Sequence, residues 1–160
     1  LMIHALDVVF DLLGARPATV DATGTHDNRY ATASCRFEDG TVATFTASRV
    51  TQRKVRRLSI TARECVVEVD YMNQSVEIHR HTAPEYVESD GDVRHRTESV
   101  VERPLVRTEE PLKRELDAFR TAVVEGSDPE VTAADGIRAI EAASLIDRLA
   151  ARGAVPEVAQ

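Results

Sequence analysis

The chain has 160 residues, a formal net charge of −7 and a pI of about 5.2. That length gives one domain with room for a core, and the acidic balance argues against general affinity for nucleic acid. Neither a signal peptide nor an apolar run long enough to span a membrane is visible, so no membrane association and a cytoplasmic location are expected. Of the 20 Lys and Arg residues only Lys54 and Lys113 are lysine. Few lysines, many acids and abundant Ala, Val and Thr point to a GC-rich, salt-adapted (halophile) source, because surface acids hold water in concentrated salt.

The first stretch, Leu1 to Gly14, reads as an amphipathic helix: Ile3, Leu6, Val9, Phe10 and Leu13 recur at three- and four-residue steps, and Gly14 sits where a helix ends. The chain thus starts inside or beside a helix, which is expected of the C-terminal part of a longer protein. Pro17 leads into a short strand, Thr19 to Thr23, and a polar turn at His26-Asp27-Asn28. From Tyr30 to Phe37 the pattern alternates, with Ala31, Ala33, Cys35 and Phe37 on one face and Tyr30, Thr32, Ser34 and Arg36 on the other. Glu38-Asp39-Gly40 is a hairpin signal, and Thr41 to Arg49 returns as the partner strand.

Further strands are expected at Val55 to Thr61, Cys65 to Tyr71 and Ser75 to His79, linked by short turns as an antiparallel meander. His81 to Thr97 has few apolar residues and reads as a long, mobile hairpin tip or loop. Ser99 to Val106 is the last strand, with Pro104 suited to an edge. Two helices follow. One runs from about Glu109 to Glu125 with Leu112, Leu116, Phe119 and Val123 on one face and Gly126 as its stop. The other starts at Thr132, a capping residue with Asp135 three on, carries Ile137, Ile140, Leu145, Ile146 and Leu149, and ends near Arg152 and Gly153. The fold class is α+β: a mainly antiparallel, open-faced sheet packed on helices. Residues 1–153 form the domain and 154–160 a frayed tail. Cys35 and Cys65 both fall in strands and read as buried thiols rather than a disulfide.

Three clusters could carry chemistry. His4 and Asp7 lie three apart and project from one side of the first helix. An imidazole with a carboxylate one turn away is a usable proton-transfer pair, and equally an idle pair on a helix surface. Residues 49–57 hold five cations, Arg49, Arg53, Lys54, Arg56 and Arg57. They read either as a solvated strand or as a grip on an anionic substrate such as a diphosphate, since guanidinium forks match phosphate oxygens. No aromatic platform accompanies them, so nucleic-acid binding is not expected. His79, His81 and His95 lack a convincing carboxylate or Cys ligand nearby and read as solvated, so no metal is expected.

Resemblance sharpens these readings. Ile3-His4-Ala5-Leu6-Asp7-Val8-Val9, followed by Leu12-Leu13-Gly14 and a strand, resembles the His-x-x-Asp helix that opens the C-terminal domain of Gfo/Idh/MocA oxidoreductases, a family that includes glucose–fructose oxidoreductase and inositol dehydrogenase. Arg36-Phe37-Glu38-Asp39-Gly40-Thr41-Val42-Ala43 is similar to its F-x-[DN]-G hairpin. The runs from Glu110 to Leu116 and from Asp128 to Gly136 resemble its two closing helix starts. The resemblance covers nearly the whole chain; each motif is short, and their order and spacing carry the match. Thr46 to Ile60 and then Val69-Asp70-Tyr71 look like the corresponding run of archaeal UDP-N-acetylglucosamine 3-dehydrogenase-like members.

The resemblance implies a substrate-binding and oligomerisation domain of an NAD- or NADP-dependent enzyme that oxidises a ring hydroxyl of a sugar, cyclitol or UDP-sugar. It implies His4 as acid/base, with Asp7 orienting it or touching substrate, and Arg49, Gln52, Lys54 and Tyr71 as substrate contacts. Tyr71 equally suits a core or an interface. The family's second acid and its lysine would precede Leu1. No Gly-x-Gly-x-x-Gly occurs in the chain, so the cofactor-binding Rossmann half is expected upstream, with no cofactor-binding residue in this chain. The open sheet face implies a homodimer or tetramer. The competing reading is a non-catalytic dimerisation or ligand-sensing module of the same fold.

Overall fold

A computed structural model describes residues 2–81, 85–89, 92–96 and 99–153, with side chains described outside 81–99. The order is α1 (Ile3–Leu13), β1 (Thr19–Gly24), β2 (Tyr30–Arg36), β3 (Val42–Ser48), β4 (Arg57–Thr61), β5 (Cys65–Asp70), β6 (Ser75–His81), β7 (Glu85–Ser89), β8 (Asp92–Arg96), β9 (Ser99–Glu102), α2 (Pro111–Glu125) and α3 (Ala133–Arg152). All described strand pairs are antiparallel. The chain divides into two compact units, Leu1–Gln52 with Leu116–Gln160, and Arg53–Glu115.

The first unit holds the core. Its sheet, β1-β2-β3, is pinned by the alternation seen in the sequence. Val20, Cys35 and Ala43 stand in one cross-strand row, and Ala22, Ala33 and Phe45 in the next. Small residues dominate these rows, so the helices can come close. Leu6 and Phe10 of α1 and Ile146 of α3 bury themselves with Cys35, Phe37 and Phe45. The Phe10 and Phe37 rings meet edge to face with centroids 6.3 Å apart, a favoured aromatic geometry. Where α3 approaches β1, a Cβ on Gly24 would lie 3.2 Å from the Ala150 Cβ and 3.1 Å from the Tyr30 carbonyl. Only glycine fits that approach without displacement. The outward face, with Tyr30, Ser34 and Arg36, is exposed.

Local chemistry sets the element ends. Gly14 ends α1 in the left-handed conformation, φ 58°, which costs glycine little. In the β2–β3 turn Asp39 accepts hydrogen bonds from the Thr41 N–H and hydroxyl, both at 2.9 Å. Those bonds hold its carboxyl below the usual carboxylate range, the Thr41 N–H first. Thr132 caps α3 in a full capping box with Asp135. Both cysteines are free thiols; Cys35 is buried and Cys65 partly so.

The second unit is a four-stranded sheet in the order β4-β5-β6-β9, with the β7–β8 hairpin inserted before β9. Cross-strand pairing places Leu58 beside Val69 and Val76, and Ile60 beside Val67 and Ile78, so one face is apolar across β4, β5 and β6; toward β9 the same face carries the Arg80–Glu102 ion pair at 2.7 Å. The opposite face carries Arg57, Ser59, Glu68, Asp70 and Glu77. Ser59 donates to Glu68 at 2.6 Å and Arg103 pairs with Glu77 at 2.7 Å.

Several expectations shift. The segment from 81 to 97 contains a strand ladder over 85–89 and 92–96; its remaining residues, 82–84, 90–91 and 97, and the tail at 154–160 lie outside the described residues. β9 stops at Glu102, short of Val106, because Pro104 has no N–H to continue a ladder. Residues 49–56 are irregular, so the basic run is a connection between strands. α2 starts at Pro111, where a missing N–H costs nothing. Its stripe of Leu112, Leu116, Phe119 and Val123 is 59–65% exposed, so it does not join the core as α1 and α3 do.

Candidate functional site

A cleft of about 360 Å³ opens in the first unit, at the edge where α1 begins. Three walls form it. Met2 and Ile3 come from the start of α1, Asn28, Arg29 and Arg49 from the end of the β2–β3 ladder, and Ser144 and Asp147 from α3. The lining mixes an apolar floor with a few polar groups.

The two arginines are brought together by strand register. The β2–β3 ladder ends with Tyr30 opposite Ser48. One step further the Arg49 N–H donates to the Arg29 carbonyl at 2.7 Å. The turn before Arg29 is tied by Asp27, whose Oδ1 accepts from the Thr25 hydroxyl at 2.6 Å and from the Arg29 N–H at 3.1 Å. These bonds, the Thr25 hydroxyl first, draw the Asp27 carboxyl below the usual carboxylate range. Asn28 takes the left-handed conformation at φ 55°, which asparagine tolerates better than most residues.

His4 follows Ile3 on α1 and is exposed; Asp7 is half-buried one turn on. Neither lines the cleft, and no hydrogen bond or ion pair joins them among the described residues. Gln52 is exposed in the irregular stretch after Arg49. Lys54 and Tyr71 belong to the second unit. Lys54 is exposed, and Tyr71 follows β5 with its N–H donating to the Arg56 carbonyl at 3.0 Å. Partial burial pushes the Tyr71 phenol up from its ordinary range. Of the five cations of the basic run, Arg57 has an ion pair among the described residues, with Asp70 at 3.5 Å.

Arg29, Asn28, Ser144 and Asp147 escape a reading of the sequence. The polar turn at His26-Asp27-Asn28 is visible there, but the pairing that sets Arg29 opposite Arg49 is tertiary. Ser144 and Asp147 sit on a helix face whose neighbours local sequence does not specify. Among the described residues, no group of three or more His, Cys, Asp or Glu side chains could hold a metal; the side chains of His81 and His95 lie outside them. No described helix is long and apolar enough to cross a membrane.

Comparison with known proteins places this geometry. The GFO/IDH/MocA C-terminal domain model matches residues 1–68. A UDP-N-acetylglucosamine 3-dehydrogenase of Acidithiobacillus ferrooxidans is 38% identical over 87 residues, which are 52% of this chain and 28% of that protein. A solved structure of UDP-N-acetylglucosamine 3-dehydrogenase from the same organism superposes on 95% of the chain with a TM-score of 0.81 and 27% identity. A levoglucosan dehydrogenase solved with NADH shares the fold over 99% of the chain, with a TM-score of 0.67 and 18% identity. The chain spans about half of these solved proteins, 48% and 50% of their lengths. The sequence match covers α1 and the strands that follow it, the structural match reaches α3, and together they make the chain similar to the C-terminal domain of Gfo/Idh/MocA proteins.

Proposed function

We propose that this chain is the substrate-binding and oligomerisation domain of an NAD(P)-dependent dehydrogenase that oxidises a ring hydroxyl of a sugar or UDP-sugar. The observation that carries this reading is the likeness to a UDP-N-acetylglucosamine 3-dehydrogenase over nearly the whole chain. His4 is the acid/base. Its imidazole stands exposed at the start of α1, one residue beyond the Met2–Ile3 wall of the cleft. Oxidation of a secondary alcohol removes a hydroxyl proton as hydride leaves the same carbon, and an imidazole accepts that proton near neutral pH. Asp7, one turn on, orients the ring or contacts a sugar hydroxyl. Arg49, which lines the cleft, contacts substrate, and Gln52, Lys54 and Tyr71 are further substrate contacts.

The nicotinamide, when bound, accepts the hydride. The residues of this chain fit the proton side of that chemistry: a titratable imidazole and carboxylates, with no Gly-x-Gly-x-x-Gly to hold a dinucleotide. Cofactor recognition is therefore assigned to residues outside this chain. The acidic, lysine-poor surface fits a salt-adapted cytoplasmic enzyme. Assembly as a homodimer or tetramer runs through an open sheet face, and the apolar side of β4, β5 and β6 is the one with most to gain from cover.

The test is NADH formation by the full-length protein over UDP-sugars, free aldoses and inositols, with and without His4→Ala. Loss of a positioned general base costs about a hundredfold or more in kcat. Turnover on one class, lost in the variant to that extent, supports the reading. Absence of both turnover and cofactor binding favours a non-catalytic dimerisation or ligand-sensing module.

A further inference from the structure

We propose that Arg29 and Arg49 together form an anion grip, and that Arg29 is a substrate-binding residue that takes the phosphate oxygens of a nucleoside-diphosphate sugar. The proposal deepens the dehydrogenase reading above and rests on it for the identity of the ligand. Its own footing is the cleft.

Both arginines line the same wall, and their backbones are joined by the 2.7 Å hydrogen bond from the Arg49 N–H to the Arg29 carbonyl. The Arg29 end of that wall is fixed by the Thr25 and Asp27 bonds and by the Tyr30 N–H, which donates to the Thr25 hydroxyl at 3.1 Å. Two arginines are thus placed by their backbones on one stretch of wall, and a pair of cations there favours a bound anion. The Asp27 carboxylate reaches the Arg29 Nε at 3.9 Å, too far for a hydrogen bond, and Arg49 has no ion pair among the described residues. The Arg29 side chain is 56% exposed, so binding an anion there requires little desolvation of the cation. Paired forks of this kind match phosphate oxygens in shape as well as charge.

The rest of the cleft gives the ligand a direction. Asn28 and Ser144 offer uncharged hydrogen-bonding groups, and Asp147 on the α3 wall would repel a phosphate but accept from sugar hydroxyls. The start of α1, with His4 one residue beyond, bounds the same cleft. A phosphate on the arginine wall therefore leaves the sugar portion to the remaining walls. An uncharged sugar would leave the arginine pair unused.

The test uses the full-length protein with NADH saturating, titrated calorimetrically with UDP and with N-acetylglucosamine. Arg29→Gln is expected to weaken UDP binding about tenfold or more, the scale of one charged hydrogen bond. N-acetylglucosamine binding should not move. The KM for a UDP-sugar should rise by a similar factor with kcat within about twofold, as for an interaction held equally in the ground and transition states. Arg29→Lys should restore only part of the affinity, because it lacks the fork. A second measurement needs no variant: UDP affinity of the unaltered protein should fall as salt is raised. Unchanged UDP binding in Arg29→Gln, or UDP affinity indifferent to salt, overturns the grip. Failure of the dehydrogenase reading looks different. There, no sugar yields NADH, yet UDP binding still depends on Arg29, and the grip stands. Turnover of neutral sugars with no UDP binding sinks the grip and leaves the dehydrogenase reading intact.

Discussion

The two units are built from the same strand code and reach different ends. In the first, the inward rows of β1-β2-β3 meet α1 and α3, and Leu6, Phe10 and Cys35 lose all exposure. In the second, β4, β5 and β6 also separate a mainly polar face from an apolar one, with the Arg80–Glu102 ion pair on the apolar side toward β9. Yet Leu58, Val67, Val69, Val76 and Ile78 remain half-buried, Ile60 is 38% exposed and Val100 44%. None of its described side chains is fully buried. Alternation in a strand thus fixes which face is apolar; it does not supply what covers it. A sheet face of several aliphatic side chains left partly in water is a surface where association is favourable.

The largest effect should come from the covered side. Phe10→Ala removes a fully buried ring packed on Phe37 and is expected to cost about 3–5 kcal/mol by urea denaturation. Leu58→Ala, at a half-buried site, should cost about 1 kcal/mol if that face stays open. A cost for Leu58→Ala matching that of Phe10→Ala would break the contrast, by showing the second face covered as thoroughly as the first.

Association is the next test. If a second copy covers the apolar face, Val67→Lys places a charge among Ile60, Val69 and Ile78 and should lower the mass seen by light scattering, with a dissociation constant raised about a hundredfold or more. The substitution is chosen on a side chain that is half-buried in the single chain, so its effect on folding should be small beside its effect on mass. A monomeric mass in the unaltered protein would reject the assembly proposal outright. An oligomer indifferent to Val67→Lys would move the interface to another face.

The same contrast shows what sequence can and cannot carry. Most element ends fall within a residue or two of their expected places, because Gly14, Gly40, Gly126 and Thr132 act locally: each fixes a dihedral or caps a helix. The facing of Ala33, Cys35 and Phe37 was legible for the same reason, a period of two beside water. The division at Gln52 and Arg53 was not, and Arg49, Val55 and Arg56, expected at strand ends, are irregular. Pairing partners decide whether β-favouring residues become strand, and local sequence does not name partners. The candidate site divides along the same line. His4 and Asp7 are visible through helix spacing, whereas Arg29 reaches the cleft only through the β2–β3 register, and Asp147 only because α3 packs beside α1.

The smallest effect lies at the start of α3, the helix that gives the first unit its cover. Thr132 accepts from the Asp135 N–H, and the Asp135 carboxylate accepts from the Thr132 N–H at 2.9 Å and hydroxyl at 2.6 Å. Thr132→Ala should cost about 1 kcal/mol in urea denaturation. Asp135 adds a pH signature. The Thr132 hydroxyl and N–H, then Arg138, hold its carboxyl below the ordinary value of 3.8. A carboxyl depressed by folding contributes stability that is fully present above its unfolded value and is lost as pH falls through its folded one. Stability should therefore decline below about pH 4, and Asp135→Asn should flatten part of that decline. Asp39 and Asp70 are depressed as well, by bonds in their own turns, so the acid limb should be shallower but not absent. If Asp135→Asn leaves the limb unchanged while Thr132→Ala still destabilises, the cap acts through the threonine alone. The cover of the first unit would then depend on the packing of α3 far more than on the charge at its start.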